Sequence, residues 1–298
     1  MKAVKTLAFS LSLVASACLM SACSDSNNSQ KNDYELSESF KVTYLSEMAQ
    51  VGKSNLKIEI TDLDGTPMEG LSPTLSPLME MSTHNHSTPY GSFTESDEAG
   101  IYNATIYYLM ASGPEMGTWY LDIGLPYDES VTFQPDVMMA MGETARANLK
   151  SQTDTIANMM GGEEKRTYIL FNDGLSDGDS GHDFSVFITT KESMMSFPAI
   201  SAGQILNADS DYELTISSIT VAMSTDPSDG DSWVTASNEG EGIWTAEGLT
   251  GLTDGEAGSI YVRLSVNGEQ KTDDGNIPDG EYDEAEFVVT PSNTMMGM

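Results

Sequence analysis

Between Ser76 and Pro89 the chain reads S-P-L-M-E-M-S-T-H-N-H-S-T-P, with two of its three histidines, His84 and His86, close behind two methionines, Met79 and Met81. Imidazole nitrogen binds Cu(I), Cu(II) or Zn(II), whereas thioether sulfur selects Cu(I). Zinc would be expected to recruit thiolates or carboxylates beside the imidazoles. A mixed Met/His set therefore points to copper, and to Cu(I) first. On extended backbone, residues two apart share a face. Met79 then pairs with Met81, and His84 with His86. The step from Met81 to His84 is odd, so a straight strand sends the two pairs to opposite faces. Convergence of all four requires a bend or bulge at Ser82-Thr83. The same residues also suit two core methionines beneath an exposed histidine loop that binds no metal.

The elements that carry this stretch begin after an address. Met1 to Ala22 has a charged start, Lys2 and Lys5, then an apolar run from Leu7 to Met20 that closes on Leu-Met-Ser-Ala-Cys at Cys23. The run is short for a membrane span and ends in small residues, which is the pattern of a secretory signal. The cysteine at the cut resembles the bacterial lipoprotein signal. That resemblance implies a lipid on Cys23, a polar tether over residues 23–33 and a place in the cell envelope. Ser24 resembles lipoproteins sent to the outer membrane. Plain secretory cleavage near Ala22 is the competing reading.

Cys18 and Cys23 are the only cysteines, so the exported chain has neither a free thiol nor a disulfide once Cys18 is removed and Cys23 is lipidated. A soft-metal site would have to use thioether and imidazole. The formal net charge is -33, which repels nucleic acid and anionic membrane faces and excludes nucleic-acid partners. Most of these carboxylates serve solubility. Methionine is the anomaly. Met1 and Met20 belong to the signal, which leaves 17 of the 19 in the 276 residues from Cys23 onward. Leucine ordinarily does the core work that methionine could do.

The mature chain is long for one β-sandwich and comfortable for two. Asn55 to Thr61 alternates, with Leu56, Ile58 and Ile60 on one face and Lys57 and Glu59 on the other, as a half-buried strand does. Phe40–Leu45, Gly100–Leu109, Trp119–Leu125 and Val131–Val137 complete a first unit. Pro67, Pro73, Pro77 and Pro89 exclude a long helix between them. The pattern recurs: Arg166–Phe171 matches Phe40–Leu45, Asp183–Thr190 matches Asn55–Thr61, Glu241–Ala246 matches Glu98–Ala104, and Ser259–Leu264 matches Thr118–Ile123. Glu286–Thr290 supplies a last strand. Short strands with Gly, Pro and Asp turns, and no βαβ alternation, predict an all-β chain of two tandem Ig-like antiparallel sandwiches. The first spans residues 34–137 and the second 165–298. A partly helical or irregular linker over 138–164 joins them, because Leu149, Ile156 and Met160 sit at helix-like spacings before Gly161-Gly162.

The run Pro77 to Pro89, followed by Gly100-Ile101-Tyr102 and Gly117-Thr118-Trp119-Tyr120-Leu121, resembles the FixH/YtkA-like family of membrane-associated or exported β-sandwich domains. The shared pattern is a proline and methionines leading to His-x-His, then a Gly-x-Tyr strand and a Trp-x-Leu strand. Some members of that family are associated with copper delivery to respiratory oxidases. The resemblance covers about Phe40 to Leu125. At the matching point the second unit has Ser193-Met194-Met195-Ser196-Phe197-Pro198 and no histidine.

Further methionines cluster near turns: Met110 with Met116, Met138 with Met139 and Met141, Met159 with Met160, and Met295, Met296 and Met298 at the end, where a labile copper set is one reading and packing another. Alternating oxygen donors in Asp173–Asp183, which includes His182, and in Asp273–Glu281 could suit calcium, but neither has EF-hand spacing. No nucleophile elbow, phosphate loop or paired-histidine helix motif is present, so no enzyme is expected. The sequence thus points to a lipid-anchored periplasmic protein with copper on Met79, Met81, His84 and His86, for buffering or delivery to a copper-handling partner. The alternative is a cell-envelope structural or interaction module with no specific metal, or with calcium in its acidic loops.

Overall fold

The computed structural model describes residues 33–280 and 283–292. The signal, Cys23, most of the tether and the Met295–Met298 tail lie outside the described residues. Nine strands build the first sandwich: β1 (Tyr34–Leu36), β2 (Phe40–Tyr44), β3 (Gly52–Asp62), β4 (Thr74–Glu80), β5 (Asn85–His86), β6 (Thr94–Glu95), β7 (Ile101–Tyr108), β8 (Thr118–Gly124) and β9 (Ser130–Phe133). The second is built from β10 (Arg146–Ala157), β11 (Glu163–Asp177), β12 (His182–Thr190), β13 (Ile205–Leu206), β14 (Leu214–Thr215), β15 (Ile219–Ser224), β16 (Val234–Thr235), β17 (Ser237–Gly240), β18 (Ile243–Leu249), β19 (Gly258–Val266), β20 (Glu269–Lys271) and β21 (Ala285–Val289). Among the described residues there is no α-helix, only two short 3₁₀ turns.

Alternation explains these strands. In β3, Leu56, Ile58 and Ile60 are buried while Lys57 and Glu59 face outward. In β8, Trp119, Leu121 and Ile123 are all fully buried, and β19 repeats this with Ile260, Val262 and Leu264. Each such side chain contributes about 1.5–3 kcal/mol relative to an exposed one, enough to pin the register of a strand with one wet face.

The first sandwich pairs a sheet in the order β1-β2-β3-β7-β6 with a sheet in the order β5-β4-β8-β9. Strands β2-β3-β7-β6 take the places of A-B-E-D in an Ig sandwich and β4-β8-β9 those of C-F-G, with β5 added beside C. The second sandwich repeats the order: β10-β11-β12-β18-β17 against β16-β15-β19, with β20 and β21 both pairing β19. The two copies share a detail of the turn before their fifth core strand. Ile60 N–H donates to Gly100 O and Ile188 N–H to Gly242 O, both at 2.8 Å. Both glycines have positive φ, and a Cβ on either would come 2.8 Å from that isoleucine's carbonyl oxygen. Only glycine fits there without strain.

Two expectations are corrected. Residues 138–164 are not a helical or irregular linker, since β10 (Arg146–Ala157) pairs along β11 as the outer strand of the second sandwich. The helix-like spacing of Leu149 and Ile156 arises from a register shift between Lys150 and Thr155. This bulge lets both side chains bury across an odd interval, while Met160 is exposed. Met138 still belongs to the first sandwich, exchanging backbone bonds with Ala49 and Val51, and Thr144 already bonds Val288 of the second. The crossing between them is therefore only a few residues long.

The second correction concerns the repeat. The counterpart of the β4–β5 hairpin is β15–β16, not the Ser193–Pro198 loop. Met79 stands opposite His86 and Trp119, and Met223 stands opposite Val234 and Val262. The second copy thus keeps the buried methionine and has valine where the first has histidine.

The sandwiches meet through an aromatic cluster. Tyr107 of β7 turns away from its own core and stacks on Phe187 at 4.1 Å, with Phe171 at 5.3 Å. Its hydroxyl donates to Asp173 Oδ1 at 2.6 Å, and Lys53 pairs with Asp173 Oδ2 at 3.0 Å.

Candidate functional site

The bend required at Ser82-Thr83 is a hairpin reversal. Strand β4 ends at Glu80, the chain turns, and β5 returns antiparallel so that His86 lies opposite Met79. Met81 N–H donates to His84 O at 3.2 Å across the same turn. Directly opposed residues of an antiparallel pair project to one face. The reversal therefore carries the methionine strand and His86 to the inner face together.

His86 is buried. Its Nδ1 lies 2.7 Å from the Ser87 carbonyl oxygen, which can only accept, so Nδ1 carries the proton. Burial pushes the ring below its ordinary pKa; the Ser87 hydrogen bond opposes that, and the neighbouring His84 adds to the lowering. The neutral ring then presents a bare lone pair at Nε2. That nitrogen faces Met110 Sδ at 3.3 Å. Thioether sulfur is itself an acceptor, so two Lewis bases point at one another with no proton between them.

Trp119 holds both partners. Its indole N–H donates to Met110 O at 2.9 Å, and its ring meets His86 edge-on at 5.3 Å and Tyr108 at 5.1 Å. Trp119 and Tyr108 are both fully buried and wall the pair from the core side. With Nδ1 fixed by a backbone carbonyl and Nε2 facing a soft donor, the ring is held in the tautomer and orientation that metal-ligating histidines require. The donor set, one imidazole and one thioether, fits a soft monovalent ion better than zinc or calcium.

The residues picked out by sequence have different places around this pair. Met79 is fully buried and belongs to the core of the first sandwich. Met81 is half-buried against that core, as is Met116. His84 is half-buried, with its ring 6.4 Å from that of His86 and its Nδ1 2.8 Å from Thr83 Oγ1. Met110 stood out only as one of several turn methionines, yet it is the sulfur that touches His86. Its weak sequence signal was a position just after the Gly-x-Tyr strand and before the Trp-x-Leu strand. Cys23 lies outside the described residues.

The acidic runs are differently arranged. Asp173 is spent on Lys53 and Tyr107, and Asp183 accepts the Gly248 N–H at 2.9 Å. His182 sits at the β11–β12 tip with Asp177 Oδ1 3.5 Å from Nδ1 and Asp254 Oδ1 3.6 Å from Nε2. These three could reach one cation, although the two carboxylates face different ring nitrogens. In the Asp273–Glu281 run, Asp274 accepts from Asn276 N–H and from its side chain, closing its own turn.

No family model matches the chain, and no curated protein does. Among solved structures it is similar to FdeC, a broadly conserved Escherichia coli adhesin, at 15% identity and TM-score 0.25, covering 86% of this chain and 66% of that one. It is similar to the Yersinia pseudotuberculosis adhesin InvE at 10% identity and TM-score 0.25, covering 84% and 58%. A conserved domain protein from Bacillus anthracis gives 11% identity and TM-score 0.34, covering 79% and 77%. The chain thus spans less than two thirds of either adhesin chain. The strand order above, rather than these matches, defines the class: a tandem Ig-like β-sandwich protein.

Proposed function

We propose that this chain is a cell-envelope binding module, lipid-anchored through Cys23, whose first Ig-like sandwich holds Cu(I) between His86 and Met110. The reading is supported by one observation above the others: Nε2 of buried His86 faces the Sδ of half-buried Met110 at 3.3 Å beside Trp119, while Nδ1 is turned to the Ser87 carbonyl oxygen. A monovalent soft ion satisfies both lone pairs, and His84, with its ring 6.4 Å from that of His86, is the neighbouring imidazole on the same hairpin. The role is to buffer the ion or hand it to an envelope partner, without catalysis.

A second reading is an envelope interaction module that binds another protein and no metal. It is favoured by the duplicated frame, since β15–β16 folds the same hairpin with Val234 in place of His86. Titration of the full chain in detergent with Cu(I), against a chromogenic chelator, separates the two. Wild type should hold one ion, His86→Ala and Met110→Leu should each lose it, and Met79→Leu should keep it. Equal, weak retention by all four chains would leave only the interaction reading.

A further inference from the structure

Both proposed ligands sit one residue from a tie to the other sandwich. Ser87, next to His86, donates its N–H to Met194 O at 2.9 Å, in the Ser193–Ser196 turn of the second sandwich. Leu109, next to Met110, accepts from Arg146 Nε at 3.0 Å, at the start of β10. Leu109 also packs on the aromatic joint of Tyr107, Phe171 and Phe187. Between these ties, Tyr107 N–H donates to Pro89 O at 2.9 Å, and Thr88 Oγ1 donates to Tyr107 O.

The residue that fixes the His86 tautomer, Ser87, is therefore held at its N–H by the second sandwich and at its side chain by Pro77 O of the first, at 2.8 Å. We propose that the second Ig-like sandwich is a clamp that sets the His86–Met110 gap, so that Cu(I) binding at that pair and docking of the two sandwiches are energetically coupled. This rests on the Cu(I) reading of the pair. Arg146 is a positioning residue here: its guanidinium donates to the Leu109 carbonyl and to Asn148 Oδ1, and it acts on the site through the former. Coupling is reciprocal for binding equilibria. If docking tightens the metal site, the metal must tighten the joint by the same factor.

The test uses the full chain in detergent, with Cu(I) supplied as the metal alone against a competing chelator. Arg146→Ala and Phe187→Ala should each weaken Cu(I) affinity about tenfold, within the usual range for coupled sites. Val262→Ala, a core cavity in the second sandwich away from the joint, should lower thermal stability and leave affinity unchanged. Hydrogen exchange over residues 184–199, which supply no ligand side chain, should slow when wild type is loaded. Wild-type binding with unchanged affinity in Arg146→Ala and Phe187→Ala would overturn the coupling and leave the metal site standing. Equal weakening by Val262→Ala would overturn it as a general loss of stability. No Cu(I) binding by wild type would remove the metal reading and the coupling with it.

Discussion

Met79 and Met110 illustrate why residue type alone does not identify a ligand. Met79 looked the stronger candidate because it lies in a dense Met/His stretch. Yet it faces the same core as Trp119, Leu121 and Ile123, where a thioether does the work of leucine. Replacing it by leucine nearly conserves volume and should cost less than about 1.5 kcal/mol. Chemical denaturation of Met79→Leu checks this; a loss of several kcal/mol would mean that Met79 does more than pack. Met110 is 24 residues from His86 in sequence. Only the return of β7 toward β8, with Trp119 bonding the Met110 carbonyl, brings the two together. No local period encodes that approach, so the imidazole was legible and its sulfur partner was not.

At the scale of elements, strands whose burial is one-sided announced themselves. Leu56, Ile58 and Ile60 alternate with charged neighbours, and both glycines of the repeated turn, Gly100 and Gly242, mark the same backbone need. Strand β10 was hidden because its bulge places Leu149 and Ile156 at an interval that also suits a helix. The counterpart of the His86 hairpin was hidden because the β15–β16 connection differs in length and carries Val234. One element-level ion pair has a clear cost. Arg166 and Glu192 are buried and meet at 2.5 Å, with Tyr212 O accepting from the guanidinium and Asn207 donating to the carboxylate. Glu192→Ala leaves a buried charge unpaired and should destabilise the second sandwich by about 3–5 kcal/mol. Urea unfolding measures it, and a change below about 1 kcal/mol would mean water reaches Arg166 in the variant.

For the whole molecule, enclosed charges tie stability to pH. Lys271 has no exposed side-chain surface and pairs with Glu269 at 2.5 Å and Asp154 at 3.4 Å. Burial alone would raise the Glu269 carboxyl. Hydrogen bonds from Lys271, Thr153, Ser151 and the Gln152 amide outweigh it and hold the carboxyl at about 2. A depressed folded pKa contributes stability that is complete above the unfolded value, about 4.3, and is lost as pH falls from there toward the folded value. Wild type should therefore lose stability between about pH 5 and pH 2 more steeply than Glu269→Gln. Urea midpoints at several pH values give the comparison, and parallel pH curves would contradict it.

The central claim is that an imidazole and a thioether brought together by two strands hold one soft ion. Copper K-edge X-ray absorption of the loaded full chain addresses it most directly. Wild type should show both nitrogen and sulfur scatterers around the copper, Met79→Leu should keep both, and Met110→Leu should lose the copper signal. A first shell without sulfur in wild type, or one unchanged by Met110→Leu, would contradict it.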